Sequence, residues 1–342
     1  MESSEVEAGL GPFIAQKAGA RGVSLSNLVR LSGGASRETW TFDADIERSD
    51  GSDSLAGIFR ADPARGIPSS PGRALEYHAI RAAWENGVVV PEPCWDGDDE
   101  TFGVKFFVMK RVAGETLGSR LIRGEQYAPT REVLPAHLAV SLARIHCIDG
   151  DRHPELRGLP APAAGVSPGA QEVANYEQQF RAQARNAHPV FELVFSWLHA
   201  NLPPAMENAF VHGDYRLGNV IFDETGLKGV IDWELAHWGD PMEDIAWLMM
   251  RSWRFGGAKP VAGVGEREAF FRAYEEAGGF PIDRERLRFW SVFASLKWGV
   301  ITVTQAERYL GGQSKSVELA AVGRRTAETE WELLDLLEDK ED

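Results

Sequence analysis

The stretch His212-Gly-Asp-Tyr-Arg-Leu-Gly-Asn219, with Val230-Ile-Asp232 after it, decides how this chain folds. Two short apolar runs rich in β-branched residues, 220–222 and 229–231, are separated by polar residues and predict a hairpin. Asp214 and Asn219 lie five residues apart on the loop before this hairpin, and Asp232 follows its second strand. Because the strands of a hairpin are paired, we expect Asn219 and Asp232 to lie side by side.

The residue types at these three positions suit phosphoryl transfer. That chemistry needs one carboxylate to face the attacking hydroxyl, and it needs a further carboxylate and an amide oxygen to hold Mg²⁺ beside the phosphates. Taken singly, each residue could equally be structural, with His212-Gly-Asp214 as a turn and Asp232 as a helix cap. The combination and its spacing are more specific than any one member.

The whole string resembles the catalytic loop of the aminoglycoside phosphotransferase and choline kinase superfamily, whose fold is that of the protein kinases. This resemblance implies ATP as the phosphoryl donor and Mg²⁺ as the cofactor. It also implies that Asp214 is the catalytic base or orients the acceptor hydroxyl, and that Asn219 and Asp232 bind the metal ion.

Three further residues are expected to organise the catalytic loop. Asp244, at the end of Gly239-Asp-Pro-Met-Glu-Asp244, resembles the carboxylate that steadies this loop in the superfamily. Asp240 before Pro241 fits a helix N-cap followed by proline at the first helical position, which places Asp244 one turn inside the helix. His212 and Arg216 are interpreted as residues that hold the loop rather than take part in the chemistry.

The same resemblance assigns nucleotide-binding positions to the first third of the chain. Gly34 and Ser36, in a turn at 32–36, resemble the nucleotide-positioning loop, where backbone N–H groups and a hydroxyl approach phosphate. Arg60 stands where the superfamily usually has a phosphate-binding lysine, and its guanidinium can also engage phosphate oxygens. Glu76, on the following helix, stands where the ion-pair partner would be. A surface Arg–Glu pair is the alternative interpretation.

Residues 106–112 resemble the link between the two lobes of the superfamily. By that resemblance, backbone groups of Lys110 and Val112 would form hydrogen bonds with adenine, and Met109 would border the pocket. Without the resemblance, this stretch would be interpreted as an ordinary buried strand.

The hydrophobic patterns, together with the resemblance, predict an α+β fold of the two-lobed, protein-kinase-like type. Residues 1–112 are expected to form a small antiparallel sheet with one helix, and residues 113–342 a larger, mainly helical lobe with a small β insert. Strands and helices do not alternate as they would in a doubly wound sheet. Expected elements include strands at 38–42, 55–60 and 102–112, a hairpin-like loop at 43–54, and helices at 73–86, 284–309 and 317–337.

The charge balance limits the classes of partner. The 342 residues contain 36 basic and 51 acidic side chains, a net charge of −15, which disfavours nucleic acid as a partner. Two cysteines are too few for a disulfide framework. No signal peptide and no membrane-spanning stretch is expected, so a cytoplasmic protein follows.

Within the superfamily, the stretch Leu31-Ser-Gly-Gly-Ala-Ser-Arg-Glu-Thr-Trp40 and Arg60 look most like the phosphotransferase-like proteins related to the kinase domain of certain acyl-CoA dehydrogenases. The expected partner is a small-molecule alcohol, either an aminoglycoside or a hydroxylated acid or its thioester. A protein kinase is disfavoured, because only eight residues separate Asp232 from Pro241 and leave no long activation segment. A nucleotide-binding scaffold without catalysis is the alternative function.

Overall fold

The computed structural model describes residues 1–31, 38–62 and 72–338. The chain divides into two compact units. The first unit comprises Met1–Thr116, Ile148–Pro160 and Asn219–Ala236, and the second comprises Leu117–Cys147, Ala161–Gly218 and His237–Asp342. Two stretches beyond residue 112 therefore belong to the first unit, and one of them carries Asn219 and Asp232.

Helices account for most of the second unit, and the first unit contains most of the strands. The described helices are α1 Ser3–Ala18, α2 Arg73–Glu85, α3 Asp99–Phe102, α4 Gly118–Arg123, α5 Ala128–His146, α6 Pro168–Gln183, α7 Pro189–Ala200, α8 Pro241–Met249, α9 Arg267–Glu276, α10 Arg284–Leu310, α11 Val317–Gly323 and α12 Thr326–Leu337. The described strands are β1 Gly22–Arg30, β2 Glu38–Arg48, β3 Gly51–Ala61, β4 Pro93–Gly97, β5 Phe106–Lys110, β6 Ala209–Val211, β7 Val220–Asp223, β8 Gly226–Val230 and β9 His237–Gly239.

The first unit contains a five-stranded antiparallel sheet in the order β1-β2-β3-β5-β4. Its core is shared with α1, whose apolar face supplies Val6, Leu10, Phe13 and Ile14. The sequence analysis did not anticipate α1, because two glycines and Pro12 lower the helix propensity of this segment. Burial against the sheet outweighs that low propensity, since helices in proteins depend mainly on packing.

Residues 43–54 form a hairpin as expected, but the loop is much shorter than expected. β2 continues to Arg48 and β3 begins at Gly51, and the two strands pair from Glu38↔Ala61 to Arg48↔Gly51. The acidic and Ser/Gly-rich composition suggested a loop, yet Ala44 and Ile46 alternate with exposed polar residues and are buried. Alternate side chains of this segment are buried on one face of the sheet, and this alternation, rather than the composition, determines that the segment is a strand.

Strands β7 and β8 form the predicted hairpin within the first unit. Val220 is paired with Val230, and the N–H of Ile231 donates to the carbonyl of Asn219 at 2.9 Å. Asn219 and Asp232 are therefore held at the open end of one hairpin, as the spacing predicted.

The second unit packs its helices around α10, whose buried side chains run along most of its 27 residues. The expected single helix at 317–337 is wrong, because α11 ends at Gly323 and α12 begins at Thr326. A Cβ at Gly323 would lie 2.6 Å from the Cβ of Ala306 on α10, so a side chain is not accommodated at this close approach. In the described part of the chain, no helix is long and apolar enough to cross a bilayer. The predicted α+β class is confirmed.

Candidate active site

The loop that carries Asp214 is anchored to the start of α8. The Asp240 side chain caps this helix by accepting the N–H of Met242 at 3.0 Å, and Pro241 occupies the first helical position. Asp244 follows one turn later, fully buried, and accepts the N–H of His212 at 2.7 Å and the N–H of Gly213 at 2.9 Å. The carboxylate thus holds two consecutive peptide groups of the loop at 212–219.

His146 from α5 also contacts the Asp244 carboxylate, with its Nε2 at 3.2 Å, and its Nδ1 lies 2.6 Å from the hydroxyl of Tyr274. Burial acts to raise the pKa of Asp244, but the hydrogen bond and charge of His146, with the backbone N–H of His212, hold the pKa below its ordinary value. The anchor is therefore ionised at neutral pH.

The Asp214 carboxylate is oriented by two donors. Its Oδ1 accepts the indole N–H of Trp247 at 2.6 Å and the Nε–H of Arg216 at 2.9 Å. The Arg216 guanidinium lies 4.6 Å from the ring centroid of Trp253, and this cation–π contact fixes the position of the guanidinium. The Asp214 side chain remains 17% exposed. A carboxylate that is oriented yet accessible can accept a proton from a bound hydroxyl.

Sequence reasoning missed Trp247 and the role of Lys297. Lys297 on α10 is buried, donates to the carbonyl of Gly213 at 3.2 Å and to Glu243 Oε1 at 3.0 Å, and lies 5.0 Å from the Trp247 ring. The one sequence signal for a role of Lys297 was its position within the most apolar stretch of the chain, residues 289–303. His237 is 14% exposed, and its Nε2 lies 3.3 Å from Glu243 Oε2.

Within the first unit, Arg60 joins two carboxylates. Its Nη1 lies 2.7 Å from Glu76 Oε1, and its Nη2 lies 3.0 Å from Asp232 Oδ1. Arg60 and Glu76 are both buried, so the alternative of a surface Arg–Glu pair is wrong. Arg73 also contacts Glu76. Burial alone would lower the pKa of Arg60, but the Glu76 and Asp232 carboxylates raise it above its ordinary value.

Asp232 and Asn219 supply the oxygen atoms that Mg²⁺ prefers. Asp232 has a left-handed backbone with φ +69°, a conformation that aspartate tolerates better than most residues, and its side chain is 39% exposed. Asn219 is buried. No three His, Cys, Asp or Glu side chains converge as a metal site within residues 1–31, 38–62 and 72–338. One carboxylate and one amide fit Mg²⁺, because this ion commonly takes few protein ligands and completes its shell with phosphates and water.

The remaining predicted positions are less fully defined. Met109 is buried in β5, where it pairs with Ile58 of β3. The N–H of Lys110 donates to the carbonyl of Glu92 at 2.9 Å, so this donor is already used and does not support a contact with adenine. Val112 follows β5 and is half-buried. Gly34 and Ser36 lie outside the described residues.

Comparison with known proteins places these features in context. A family model described as "Phosphotransferase enzyme family" matches residues 28–290. Acyl-CoA dehydrogenase family member 11 of Gallus gallus is 35% identical over 193 residues, which are 53% of this chain and 23% of that protein. The chain thus spans about a quarter of the length of the curated relatives of this kind.

Three solved structures share the fold. A Ralstonia eutropha protein, whose assignment as an aminoglycoside phosphotransferase is itself provisional, has a TM-score of 0.72 at 22% identity, over 97% of this chain and 98% of that one. The GDP complex of aminoglycoside 2'-phosphotransferase-IIIa has a TM-score of 0.60 at 12% identity, with coverage of 97% and 99%. An aminoglycoside phosphotransferase in ternary complex with AMP-PNP and hygromycin B has a TM-score of 0.56 at 16% identity, with coverage of 94% and 97%. At these identities the likeness shows the fold, and the predicted kinase-like fold is confirmed.

Proposed function

We propose, from the premise that the chain belongs to the phosphotransferase enzyme family, that it transfers the γ-phosphate of ATP to a hydroxyl of a small molecule in a Mg²⁺-dependent reaction. Membership confirms the resemblance drawn from the loop at 212–219, and the chain is a small-molecule kinase. The donor, the metal ion, the acceptor and the roles of individual residues are the parts that we propose here, together with a cytoplasmic location.

The observation that carries the proposal is the way in which the Asp214 carboxylate is oriented. Its carboxylate is fixed by Trp247 and Arg216, on a loop that the buried Asp244 anchors through two peptide groups. A turn with no catalytic duty would not need a partly exposed carboxylate held by an indole and a guanidinium, on a loop with an ionised anchor. Such preorganisation is what phosphoryl transfer requires from a protein, since positioning and charge supply most of the catalysis.

In the proposed reaction, the acceptor oxygen forms a bond to the γ-phosphorus while the bond from phosphorus to the β–γ bridging oxygen breaks and ADP leaves with that electron pair. Asp214 orients the hydroxyl and accepts its proton. Asn219 and Asp232 would hold Mg²⁺, which when bound neutralises charge on the phosphates. Arg60 is assigned to phosphate binding, with Glu76 holding the guanidinium in place.

Two classes of acceptor follow from the related proteins. One structural neighbour was solved with hygromycin B, which favours an aminoglycoside, whereas the relatives named for acyl-CoA dehydrogenase favour a hydroxylated acid or its thioester. We propose ATP as the donor, consistent with AMP-PNP in one neighbour; GDP in another makes GTP the necessary comparison.

The test is nucleotide turnover against both classes of alcohol, with ATP and with GTP, measured for the parent protein and for Asp214→Asn. We expect acceptor-dependent ADP release, and a fall in kcat of about 10²–10⁴-fold in the variant, the usual contribution of a general base. Glu224→Gln, an exposed carboxylate on the same hairpin as Asn219, is the matched control and should retain full activity.

Equal rates for Asp214→Asn and the parent protein would show that Asp214 has no part in the chemistry. A thermal shift with ATP and Mg²⁺, but no turnover with any alcohol, would instead favour the nucleotide-binding scaffold.

A further inference from the structure

Arg60 of β3 connects two carboxylates of the first unit through the two ends of its guanidinium group. Its Nη1 lies 2.7 Å from Glu76 Oε1, and its Nη2 lies 3.0 Å from Asp232 Oδ1. Phosphate oxygens are the proposed ligands of this guanidinium, and a metal ion is the proposed ligand of the Asp232 carboxylate. The two atoms that contact each other, Nη2 and Oδ1, are therefore also the atoms that the two proposed ligands would use.

The two ends of the guanidinium group have different surroundings. The Arg60 and Glu76 side chains are 10% and 1% exposed, and Glu76 also contacts Arg73, whereas the Asp232 side chain is 39% exposed. Separating a buried ion pair leaves an uncompensated charge away from water, but water can replace either partner of an exposed pair with little change in free energy. The contact with Asp232 is therefore the one that can be exchanged, while Glu76 keeps the guanidinium in place.

An arginine suits this double contact better than the lysine that is usual in the superfamily. The planar guanidinium presents separate N–H donors at its two ends, so one end can bind Glu76 while the other binds Asp232 or a phosphate oxygen. A lysine ammonium group concentrates its charge at one atom. The guanidinium also does not lose its proton in proteins, so its effect on Asp232 does not depend on pH.

A cation that contacts a metal ligand opposes the binding of a metal ion. Oδ1 of Asp232 would have to give up the guanidinium for the divalent cation, and the two positive charges would then repel each other at short range. Phosphate groups remove this conflict, because Nη2 can move from Oδ1 to a phosphate oxygen while Oδ1 binds the metal ion. Each charge then has a partner of opposite sign.

We propose that Arg60 is an exchangeable counter-ion of Asp232, which makes metal binding by Asp232 and Asn219 depend on the phosphates of the nucleotide. This inference rests on the proposed function, because it uses the metal-binding and phosphate-binding residues assigned there. It adds a coupling between the two ligands: a metal ion alone binds weakly, and each ligand strengthens the binding of the other by the same factor. Arg60 thereby suppresses occupation of the site by a metal ion without nucleotide.

The experiment measures the affinity of the full chain for Mn²⁺, which takes the same oxygen ligands as Mg²⁺ and has an EPR signal when it is free. Arg60→Gln removes the charge and keeps a side-chain N–H donor. We expect this variant to bind Mn²⁺ alone about tenfold or more tightly than the parent protein does, because the opposing charge is gone. ADP, titrated by calorimetry in the presence of Mn²⁺, should bind about tenfold more weakly, because a charge-assisted contact with phosphate is lost.

Opposite signs for the two ligands separate this role from a structural one, since a loss of folding would weaken the binding of both. Arg60→Met, which replaces the guanidinium with an apolar chain, is a second uncharged variant with the same expected result, and thermal unfolding shows that each variant is folded. Adding Asp232→Asn to Arg60→Gln should abolish the gain in Mn²⁺ affinity, which locates the gain at Asp232.

Arg48→Gln is the matched control. Arg48 lies 4.0 Å from Asp53 in an exposed pair beside the β2–β3 turn, at the opposite end of β3 from Arg60. The substitution makes the same change of charge in the same sheet, and both affinities should remain those of the parent protein.

Unchanged or weaker binding of Mn²⁺ by the folded Arg60 variants would overturn the proposal. A parent protein that binds Mn²⁺ equally well with and without ADP, after correction for the Mn·ADP complex that forms in solution, would also overturn it. Neither titration requires turnover. The expected affinities in a protein that phosphorylates no alcohol would therefore keep the role of Arg60 and refute the proposed function, whereas an active enzyme whose Mn²⁺ affinity does not depend on Arg60 would refute that role alone.

Discussion

Lys297 is a buried cation that links α10 to the loop of Asp214. Burial alone would lower its pKa, but Tyr176, Glu243 and Glu172 raise it above the ordinary value. Its ammonium group donates both to the Glu243 carboxylate and to the carbonyl of Gly213, the residue before Asp214. The side chain is therefore charged, and it holds the loop through the carbonyl of Gly213.

Lys297→Met should lower the free energy of unfolding by about 3–5 kcal/mol, because Glu243 would remain as an uncompensated buried charge. Urea denaturation measures this change. Lys259→Met, which removes an exposed pair with Glu266, is the control and should alter stability by no more than about 0.5 kcal/mol. Adding Glu243→Gln to Lys297→Met should recover part of the loss. A single variant as stable as the parent would contradict the proposed packing of the pair.

Glu172 in the first half of α6 shares this environment, and its pKa is also raised. Burial and the charge of Glu243 raise its pKa above the ordinary value, against the opposing effects of His237 and Lys297. A raised pKa in the folded state means that the folded protein favours the protonated form. The corresponding stability is complete below the ordinary carboxyl pKa, and it is lost as the pH rises through the folded value.

Glu172→Gln, which mimics the protonated form, should therefore raise the melting temperature at pH 8, and this gain should shrink as the pH falls towards 4. Thermal unfolding across that range is the measurement. Glu177→Gln on the same helix is the control with the opposite sign, because hydrogen bonds from His199 and Arg181 lower the pKa of Glu177. If Glu172→Gln shifted the melting temperature equally at all pH values, its effect would not arise from titration.

At the scale of elements, the attachment of α8 to the loop at 212–219 is the feature most closely tied to activity. The helix is started by the Asp240 cap, and Arg286 of α10 holds that cap at 2.7 Å. Asp244 then projects one turn later towards the peptide groups of His212 and Gly213. Local capping chemistry sets the start of the helix, and the start of the helix sets the position of the anchor.

Asp244→Asn should lower both stability and kcat at neutral pH, since an amide is a weaker acceptor for the two peptide N–H groups and for His146. We expect about 1–3 kcal/mol of lost stability, measured by denaturation, and a fall in kcat with little change in KM for ATP. Because the pKa of Asp244 is lowered, its contribution is present above the ordinary carboxyl pKa and is lost as the pH falls through the folded value. The difference between the variant and the parent should thus narrow in acid.

Asp283→Asn is the matched control, because Asp283 caps α10 from an exposed position and asparagine caps helices equally well. If Asp244→Asn behaved like Asp283→Asn, the anchoring role would be refuted.

Elements with strong local signals were predicted well, and those that depend on packing were not. The β7–β8 hairpin lies where the sequence placed it. The hairpin expected around 43–54 forms, but its loop is shorter than expected, because the alternation of Ala44 and Ile46 outweighed a loop-like composition. The single helix expected at 317–337 was wrong, because the helical pattern is interrupted after Gly323.

At the scale of the whole molecule, the family match ends at residue 290, whereas the folded chain continues on both sides of the matched range. α1 precedes it and completes the core of the sheet, and α11 and α12 follow it. α12 contributes Glu332 and Asp335 to a cavity of about 150 Å³ in the second unit, whose lining also includes five arginines. Parts of this cavity thus lie beyond the segment that the family has in common.

The sequence by itself determined the fold class, the hairpin that holds Asn219 and Asp232, and the loop of Asp214. Each of these features is specified by residues that lie close together along the chain. Only the tertiary structure decided that Trp247 orients Asp214, that Lys297 supports Gly213, and that arginines from separate helices share one cavity. These contacts join residues far apart in sequence. They depend on which helix faces pack against one another, and no local sequence pattern specifies that packing.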